Sequence, residues 1–396
     1  MKKILVITPK FPIPTTGACE QERLAGLSQL KRLGYEIRVI AKVFDWQDKT
    51  VIERWCVEHD IKLDLLPYSF FAKSWCRKLK KLANPKCWDG AAAEYFVPDI
   101  QGRVKEVVSS WQPDIAWFDY TYLWPLYKNF KQKNIPVVTR SINFEPVHFL
   151  QEDGFSFKNL LKFLPKVLSE VITVKKSDII FAITPKEEKI YKMLGAKRAA
   201  TLPLRSLPDV LQSNREIANR EVLHLFFIGA SYNVQHNRKA AELLIKNVAP
   251  EVERRAPGRF VFHILGKKLP PELAKLCVGN IIEEGFVDNL NDFLDTMDIA
   301  VIPSLMGAGM QQKIFEPLAR GIPSVISPRG LAGYPFKDGE HALFAAGQDE
   351  FTEQILKLLD VNLRRHLSKN ALRLSGELFA RERLDTIVQQ AVCNII

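Results

Sequence analysis

The chain has 396 residues, 47% hydrophobic and 26% charged; this is an ordinary globular composition, but longer than one hydrophobic core usually serves, so two α/β domains are expected. Lysine and arginine exceed the acids by 56 − 45 = 11, which favours an anionic partner: nucleic acid, anionic lipid and nucleoside diphosphates all qualify. Cys19, Cys56, Cys76, Cys87, Cys277 and Cys393 form no C-x-x-C pair and no zinc-like cluster, and read as reduced thiols of a cytosolic protein.

Met1-Lys2-Lys3 followed by Ile4 to Thr8 resembles a signal peptide only superficially, because the apolar run is short and meets Pro9 without a small-residue cleavage site. No apolar segment approaches the roughly 18 residues of a membrane span. Lys3 to Thr8 reads instead as a buried parallel strand. The loop Pro9 to Gly17 leads into a helix carrying Glu20, Arg23, Leu24, Leu27 and Leu30, Gly34 ends it, and Glu36 to Ala41 is the second strand. Such a start is that of a doubly wound fold, in which ligands gather at the carboxyl ends of the strands, so the loop after the first strand is placed to line a cleft. Its single Gly17 is no dinucleotide fingerprint, and no nicotinamide cofactor is expected.

From Tyr68 to Trp88 aromatics are interleaved with Lys73, Arg77, Lys78, Lys80, Lys81 and Lys86, with no acid between. Such a stretch suits a membrane surface, a nucleic-acid contact, or simply a solvated basic helix with its aromatics turned inward. Ile115 to Asp119 and Pro136 to Thr139 are further strands, the latter running into Arg140-Ser141-Ile142-Asn143-Phe144-Glu145. Arg23 and Arg140 are candidate anion contacts in the cleft, although a surface position is the commoner fate of an arginine. Phe155 to Lys176 is amphipathic and basic, interrupted by Pro165, and reads as a second surface helix. Asp178 to Thr184 closes the first half as a strand, Pro185 to Glu188 opens a helix, and the polar run Ser206 to Arg220 is the best linker.

The α/β pattern then restarts, with strands at Val222 to Gly229, Phe260 to Gly266 and Ile281 to Phe286 and a helix at Leu290 to Met297. The stretch Asp298 to Gly333 is a strand-loop-helix-strand unit: Ile299 to Ile302, a Gly307-Ala308-Gly309 loop, a helix carrying Lys313 and Glu316, and Ser324 to Ile326. Spaced three apart, Lys313 and Glu316 share one helical face, while Ile314, Phe315 and Leu318 point toward a core. The glycine loop could bring backbone N–H groups to an anion, Lys313 could add a charge, and Glu316 could accept from sugar hydroxyls. A tight turn before an ordinary surface helix is the plainer alternative. Pro317 is expected to kink this helix or confine it to an early turn. His236 and His341 are expected to be turn residues rather than bases.

Taken together, FIGASYNVQHNRKA at Phe227 to Ala240, EEGFVDNLNDFLDTMDIAVIPS at Glu283 to Ser304, GAGMQQKIFEPLARGIPSV at Gly307 to Val325 and DGEHALF at Asp338 to Phe344 resemble a retaining GT-B glycosyltransferase of family 4. TPKFPIPTTGACEQERLAGLSQLKRLGYEIRVI and RSINFEP extend the likeness through the first half. The resemblance implies two facing Rossmann-like domains with parallel sheets, and transfer of a sugar from a nucleoside-diphosphate sugar to a glycan, lipid-linked or other hydroxyl acceptor. Retention at the anomeric carbon, with no bound metal and no cofactor besides the donor substrate, is also implied. The implied domains are 1–205, joined by a helix at 373–396, and 206–372.

Carried onto this chain, the family's donor site falls on Gly229, Asn237, Arg238, Gly307, Gly309, Lys313, Glu316, Gly330, Leu331 and Gly333, with Lys313 and Glu316 as the catalytic pair. Gly17, Arg23, Arg140, Asn143 and Glu145 fall on the acceptor side. Because acceptors of such enzymes are often lipid-linked, the resemblance favours a membrane surface over nucleic acid for residues 68–88, and a cytoplasmic, peripheral location. The chain departs from the family at Ala308, where an acid is expected, at Ala230, where many members have arginine, and at Ile142, where relatives often have histidine. The missing acid leaves open a sugar-nucleotide epimerase or a binding protein without catalysis.

Overall fold

Runs that are apolar at every position, such as Ile4–Ile7 and Ile299–Ile302, suit strands covered on both faces, and both lie in wholly parallel sheets. The computed structural model describes residues 1–15, 17–68, 84–154, 156–306 and 309–395. It divides into two units, Met1–Ser206 with Arg381–Ile396, and Leu207–Ala380. Most of the basic and aromatic stretch at 68–88 lies outside the described residues, as do Gly307 and Ala308.

The first unit is built on seven strands, β1 (Lys3–Thr8), β2 (Glu36–Val43), β3 (Ile61–Pro67), β4 (Ile115–Asp119), β5 (Val137–Arg140), β6 (Ile179–Ala182) and β7 (Ala199–Thr201), in the order β3-β2-β1-β4-β5-β6-β7. The sequence reading missed β3 and β7: Lys62 and Asp64 break the apolar run of one, and the other has only three residues. Four of its helices matter below, α1 (Ala18–Arg32), α2 (Glu145–Asp153), α3 (Phe157–Lys176) and α4 (Pro185–Met193). Pro165 does not interrupt α3, which runs unbroken through it; the ring removes one backbone donor, and the flanking turns keep theirs.

The second unit has six strands, β8 (Leu223–Ser231), β9 (Phe260–Lys267), β10 (Ile281–Gly285), β11 (Ile299–Ile302), β12 (Ser324–Ile326) and β13 (Leu343–Phe344), in the order β10-β9-β8-β11-β12-β13. Helices α5 (Gln235–Leu243) and α6 (Gln312–Ala319) follow β8 and β11. Pro317 neither ends α6 nor confines it to one turn, since the helix continues to Ala319. The polar run after Ser206 is docked on this unit: Gln212 N donates to Ala319 O at 3.1 Å, and Arg215 Nη2 to Leu294 O and Met297 O at 3.2 and 2.6 Å.

The chain leaves the second unit at Ala380, after a helix at Val361–Phe379, and its last helix, α7 (Arg381–Cys393), completes the first. Leu384, Val388 and Val392 of α7 are fully buried with Ile4, Val6, Leu27, Leu30, Ile37 and Trp117 on one face of the sheet. The alternate residues Leu5, Ile7, Ala116 and Phe118 face the other layer, with Val104, Val107 and Trp111. Both strand orders reverse direction once, between β1 and β4 and between β8 and β11. In such sheets the crevice for a ligand opens at the carboxyl ends of the strands on either side of that reversal.

Candidate active site

In the second unit β8 reaches its reversal point through Gly229 and Ala230, the latter at φ +51, and α5 starts just beyond. Asn237, in the first turn of α5, ties this end down: its Nδ2 donates to Gly229 O and, at 3.2 Å, to Ser231 O. Its Oδ1 faces the other way and accepts from Lys313 Nζ of α6 at 2.9 Å. The amine also lies 5.4 Å from the centre of the Phe227 ring. Burial brings the Lys313 amine down to about 8, because the charged form loses hydration. An ammonium has three donors, and Asn237 is the only protein hydrogen-bond partner of this one among the described residues.

Glu316, one turn on, is buried and already engaged. Its Oε1 accepts from Arg320 Nε and Nη2 at 3.1 and 3.0 Å, its Oε2 accepts from Gln312 Nε2 at 3.0 Å, and Arg320 continues to Asn291 Oδ1. This fork holds the carboxylate in one orientation and leaves about one of its four lone pairs, on Oε2, to accept a further bond. Arg320 was missed in the sequence, although the Glu316/Arg320 spacing of four is that of a helical ion pair.

The loop from β11 to α6 is anchored at its described ends by Ser304 Oγ to Gln311 Oε1 at 3.0 Å and by Gln311 Nε2 to Met306 O at 3.4 Å, with Gly309 at φ +73. Gly330 and Leu331 sit in a short turn, Pro328–Leu331, and both are buried. A Cβ on Gly330 would lie 2.1 Å from Ile314 Cδ1, so this glycine lets the turn rest on α6. Gly333, exposed at φ +94, is the member of that turn's continuation that needs glycine's backbone freedom. Arg238 is exposed, next to Asn237.

The unexpected residue is Tyr232. Its ring is buried, its hydroxyl donates to Leu265 O at 2.7 Å, and it lies against Gly229 and Gly266 at the ends of β8 and β9. A Cβ on Gly229 would meet Tyr232 Cε1 at 2.3 Å. Gly229→Ala is therefore expected to lose about 1–3 kcal/mol through displacement of the ring, read as a lower Tm.

In the first unit two of the expected acceptor-side residues prove to be core. Arg140 is fully buried, donating to Glu22 Oε1 at 2.9 Å and to the carbonyls of Ala182, Leu202 and Pro203 at 3.3, 2.6 and 3.1 Å. Arg23 is buried as well, donating to Cys19 O, Thr8 Oγ1 and Lys10 O at 3.1, 3.1 and 2.9 Å, which staples the loop after β1 to α1. Neither guanidinium is presented as an anion contact, because its donors are spent on the protein. Gly17 is the N-cap of α1 in extended backbone, its carbonyl accepting from Gln21 N at 3.0 Å.

Asn143 and Glu145 stay half-buried at the carboxyl end of β5, where α2 begins. Two buried glutamates that the sequence did not single out hold this turn. Phe144 N donates to Glu187 Oε1 at 2.9 Å, and Glu145 N to Glu170 Oε1 at 3.1 Å. Burial pushes the Glu187 carboxyl up to about 7 and that of Glu170 well above the usual carboxylate range. Thr184-Pro185-Lys186-Glu187 has the spacing of a capping box, and Thr184 Oγ1 does accept from Glu187 N at 3.1 Å. The glutamate, however, bonds the neighbouring turn at Phe144.

Residues 223–361 match the family described as glycosyl transferases group 1. The match lies within the second unit. The group 1 match covers β8 to β13 and so includes Gly229, Asn237, Lys313, Glu316 and the Gly330 turn. Among curated proteins none matches the chain by sequence. Among solved structures, sucrose-phosphate synthase from Thermosynechococcus elongatus is similar at 15% identity and a TM-score of 0.71, over 100% of this chain and 99% of that one. Anabaena HepE in complex with UDP and glucose is similar at 12% identity and 0.66, over the whole of both chains. S. aureus TarM in complex with Fondaparinux, alpha-GlcNAc-glycerol and UDP is similar at 10% identity and 0.68, over 100% and 99%. At these identities the likeness establishes the fold: the chain is an α/β protein of GT-B type, with two Rossmann-like units.

Proposed function

We propose that the protein transfers a sugar from a nucleoside-diphosphate sugar to a hydroxyl of a glycan, lipid-linked or other acceptor, with retention at the anomeric carbon and without a bound metal. The observation that carries this assignment is Lys313: a desolvated amine with donors to spare, braced by Asn237 where β8 and β11 diverge within the group 1 match. A diphosphate placed there would meet that charge, the N–H groups about Gly309 and the exposed Arg238, and Glu316 would accept from the ribose hydroxyls. HepE and TarM, with UDP in their crystals, support a UDP-sugar as the first donor to try.

In this mechanism the bond from the anomeric carbon to the diphosphate oxygen breaks, and the acceptor oxygen bonds on the face that the diphosphate leaves. A phosphate oxygen takes the acceptor proton, and Lys313 stabilises the charge that develops on the leaving group. Asn143 and Glu145 are the proposed acceptor-side groups, held by Glu187 and Glu170. A peripheral place on the cytoplasmic face of a membrane, in polysaccharide synthesis, is supported by the basic and aromatic composition of residues 68–88.

Thermal-shift titration with a panel of nucleotides and nucleotide sugars tests the assignment. A bound donor at about 100-fold excess over Kd adds about 2.7 kcal/mol, and an absence of any stabilising nucleotide overturns it. Affinity should also depend on pH with a defined sign. The free amine titrates at about 8, and a diphosphate raises that value, so affinity is full below about pH 8 and falls above it by up to about tenfold per pH unit. Product analysis with and without acceptor separates transfer from epimerisation, and from binding alone.

A further inference from the structure

Helix α3 exposes an apolar stripe in its N-terminal half. Its buried residues are Ser169, Glu170, Thr173 and Val174, three of them polar, while Phe157, Leu160, Leu161, Leu164 and Leu168 are 41–79% exposed. These five positions follow the i, i+3, i+4, i+7 spacing of a single face, covering an arc of about 100°. The orientation is locked by hydrogen bonds on the inward side: Trp124 Nε1 donates to Ser169 Oγ at 3.0 Å, Thr121 Oγ1 to Glu170 Oε1 at 2.8 Å, and Thr173 Oγ1 to Thr121 O at 2.5 Å. Rolling the leucines inward would break all three and leave the buried Trp124 Nε1 and Thr121 hydroxyl without their partners. A stripe of this size on the outside of a domain marks a contact surface.

The surroundings of the stripe are cationic. Exposed Lys158 and Lys162 flank it, Lys175 continues its line toward the end of the helix, and no acid occurs within the helix before Glu170. Pairing with a second copy through a two-fold axis would bring these lysines together, which like charges oppose. An anionic bilayer meets both features: the leucines and Phe157 enter the acyl boundary while the lysines rest among phosphate headgroups. We propose that the N-terminal half of α3 is an in-plane membrane anchor for anionic lipid. The proposal concerns a different segment from residues 68–88, and it does not rest on the transfer reaction.

The test is flotation of the full chain with phosphatidylcholine vesicles containing about one-third phosphatidylglycerol, comparing the parent with a Leu160→Glu, Leu164→Glu double variant. Both positions are exposed, so the fold should survive, which an unchanged Tm and unchanged UDP-induced thermal shift would verify. The expected result is that the parent floats, less so in high salt or on phosphatidylcholine alone, and that the variant loses at least about tenfold in vesicle affinity. Flotation of the variant equal to that of the parent overturns the proposal, as does failure of the parent to bind. A lipid-free dimer that the double variant abolishes would overturn it in favour of a second copy. Transfer to a water-soluble acceptor is read separately and should be the same for both proteins, so loss of one result leaves the other standing.

Discussion

Lys313→Met is expected to weaken binding of nucleoside diphosphates by about 10–150-fold, the equivalent of 1.5–3 kcal/mol for hydrogen bonds between charged groups, and to lower kcat/KM by about 100-fold or more. Methionine keeps the length and apolar stem of the side chain and removes the amine. The buried position is thereby relieved of a charge that the apo protein hydrates poorly. Asn237 Oδ1 loses its donor, while Asn237 Nδ2 keeps its bonds to Gly229 O and Ser231 O. Folding should consequently be little affected while binding collapses, and the pH dependence above about 8 should disappear with the amine. Calorimetric titration of UDP into both proteins, at pH 7 and pH 9, reads all of this. Equal affinities would remove Lys313 from the donor site.

Glu22→Gln is expected to cost the first unit about 3–5 kcal/mol, because removing one partner of a buried ion pair leaves the other charge uncompensated. Two charges are at stake here. Glu22 Oε1 accepts from Arg140 Nε at 2.9 Å and Arg205 Nε at 2.8 Å, and none of the three side chains is more than marginally exposed. Gly26 has no side chain because a Cβ there would lie 2.1 Å from Arg205 Cζ. Burial pushes the Glu22 carboxyl up, but the Arg205 and Arg140 guanidiniums more than offset this and hold it below its ordinary range. A carboxylate with a depressed folded value stabilises the native state fully above its unfolded value, about 4.5 for this group, and loses that contribution as pH falls through the folded value. The variant should therefore melt earlier at neutral pH and show a shallower decline on the acid side. Denaturant unfolding of both proteins at neutral and acid pH checks it, and an unchanged midpoint would show that Arg140 is held by its carbonyl partners and Arg205 by Asp119 and the Trp117 ring.

Part of the geometry around the proposed donor site was legible in the sequence. Lys313 and Asn237 were both named from motif positions, and they meet at 2.9 Å although 76 residues apart. Glu316 was placed on the correct helix, yet its fork with Arg320 and Gln312 was not foreseen. The acceptor half was less legible. Arg23 and Arg140 were expected in a cleft and are instead spent inside, the latter on a glutamate 118 residues away. Glu170 and Glu187, which hold the turn at Asn143 to Glu145, look in the sequence like ordinary helix acids.

What the sequence determined by itself is the alternation of buried strands and helices, and through it two parallel sheets, because period and apolar run length are properties of neighbouring residues. The amphipathic, basic character of Phe155 to Lys176 was equally plain, although Pro165 was expected to interrupt it and does not. Tertiary structure alone decided which charges are paired inside the protein, and which face of that helix looks outward. Burial of an ionisable group is settled by the partners that fold against it, and those partners lie far away along the chain.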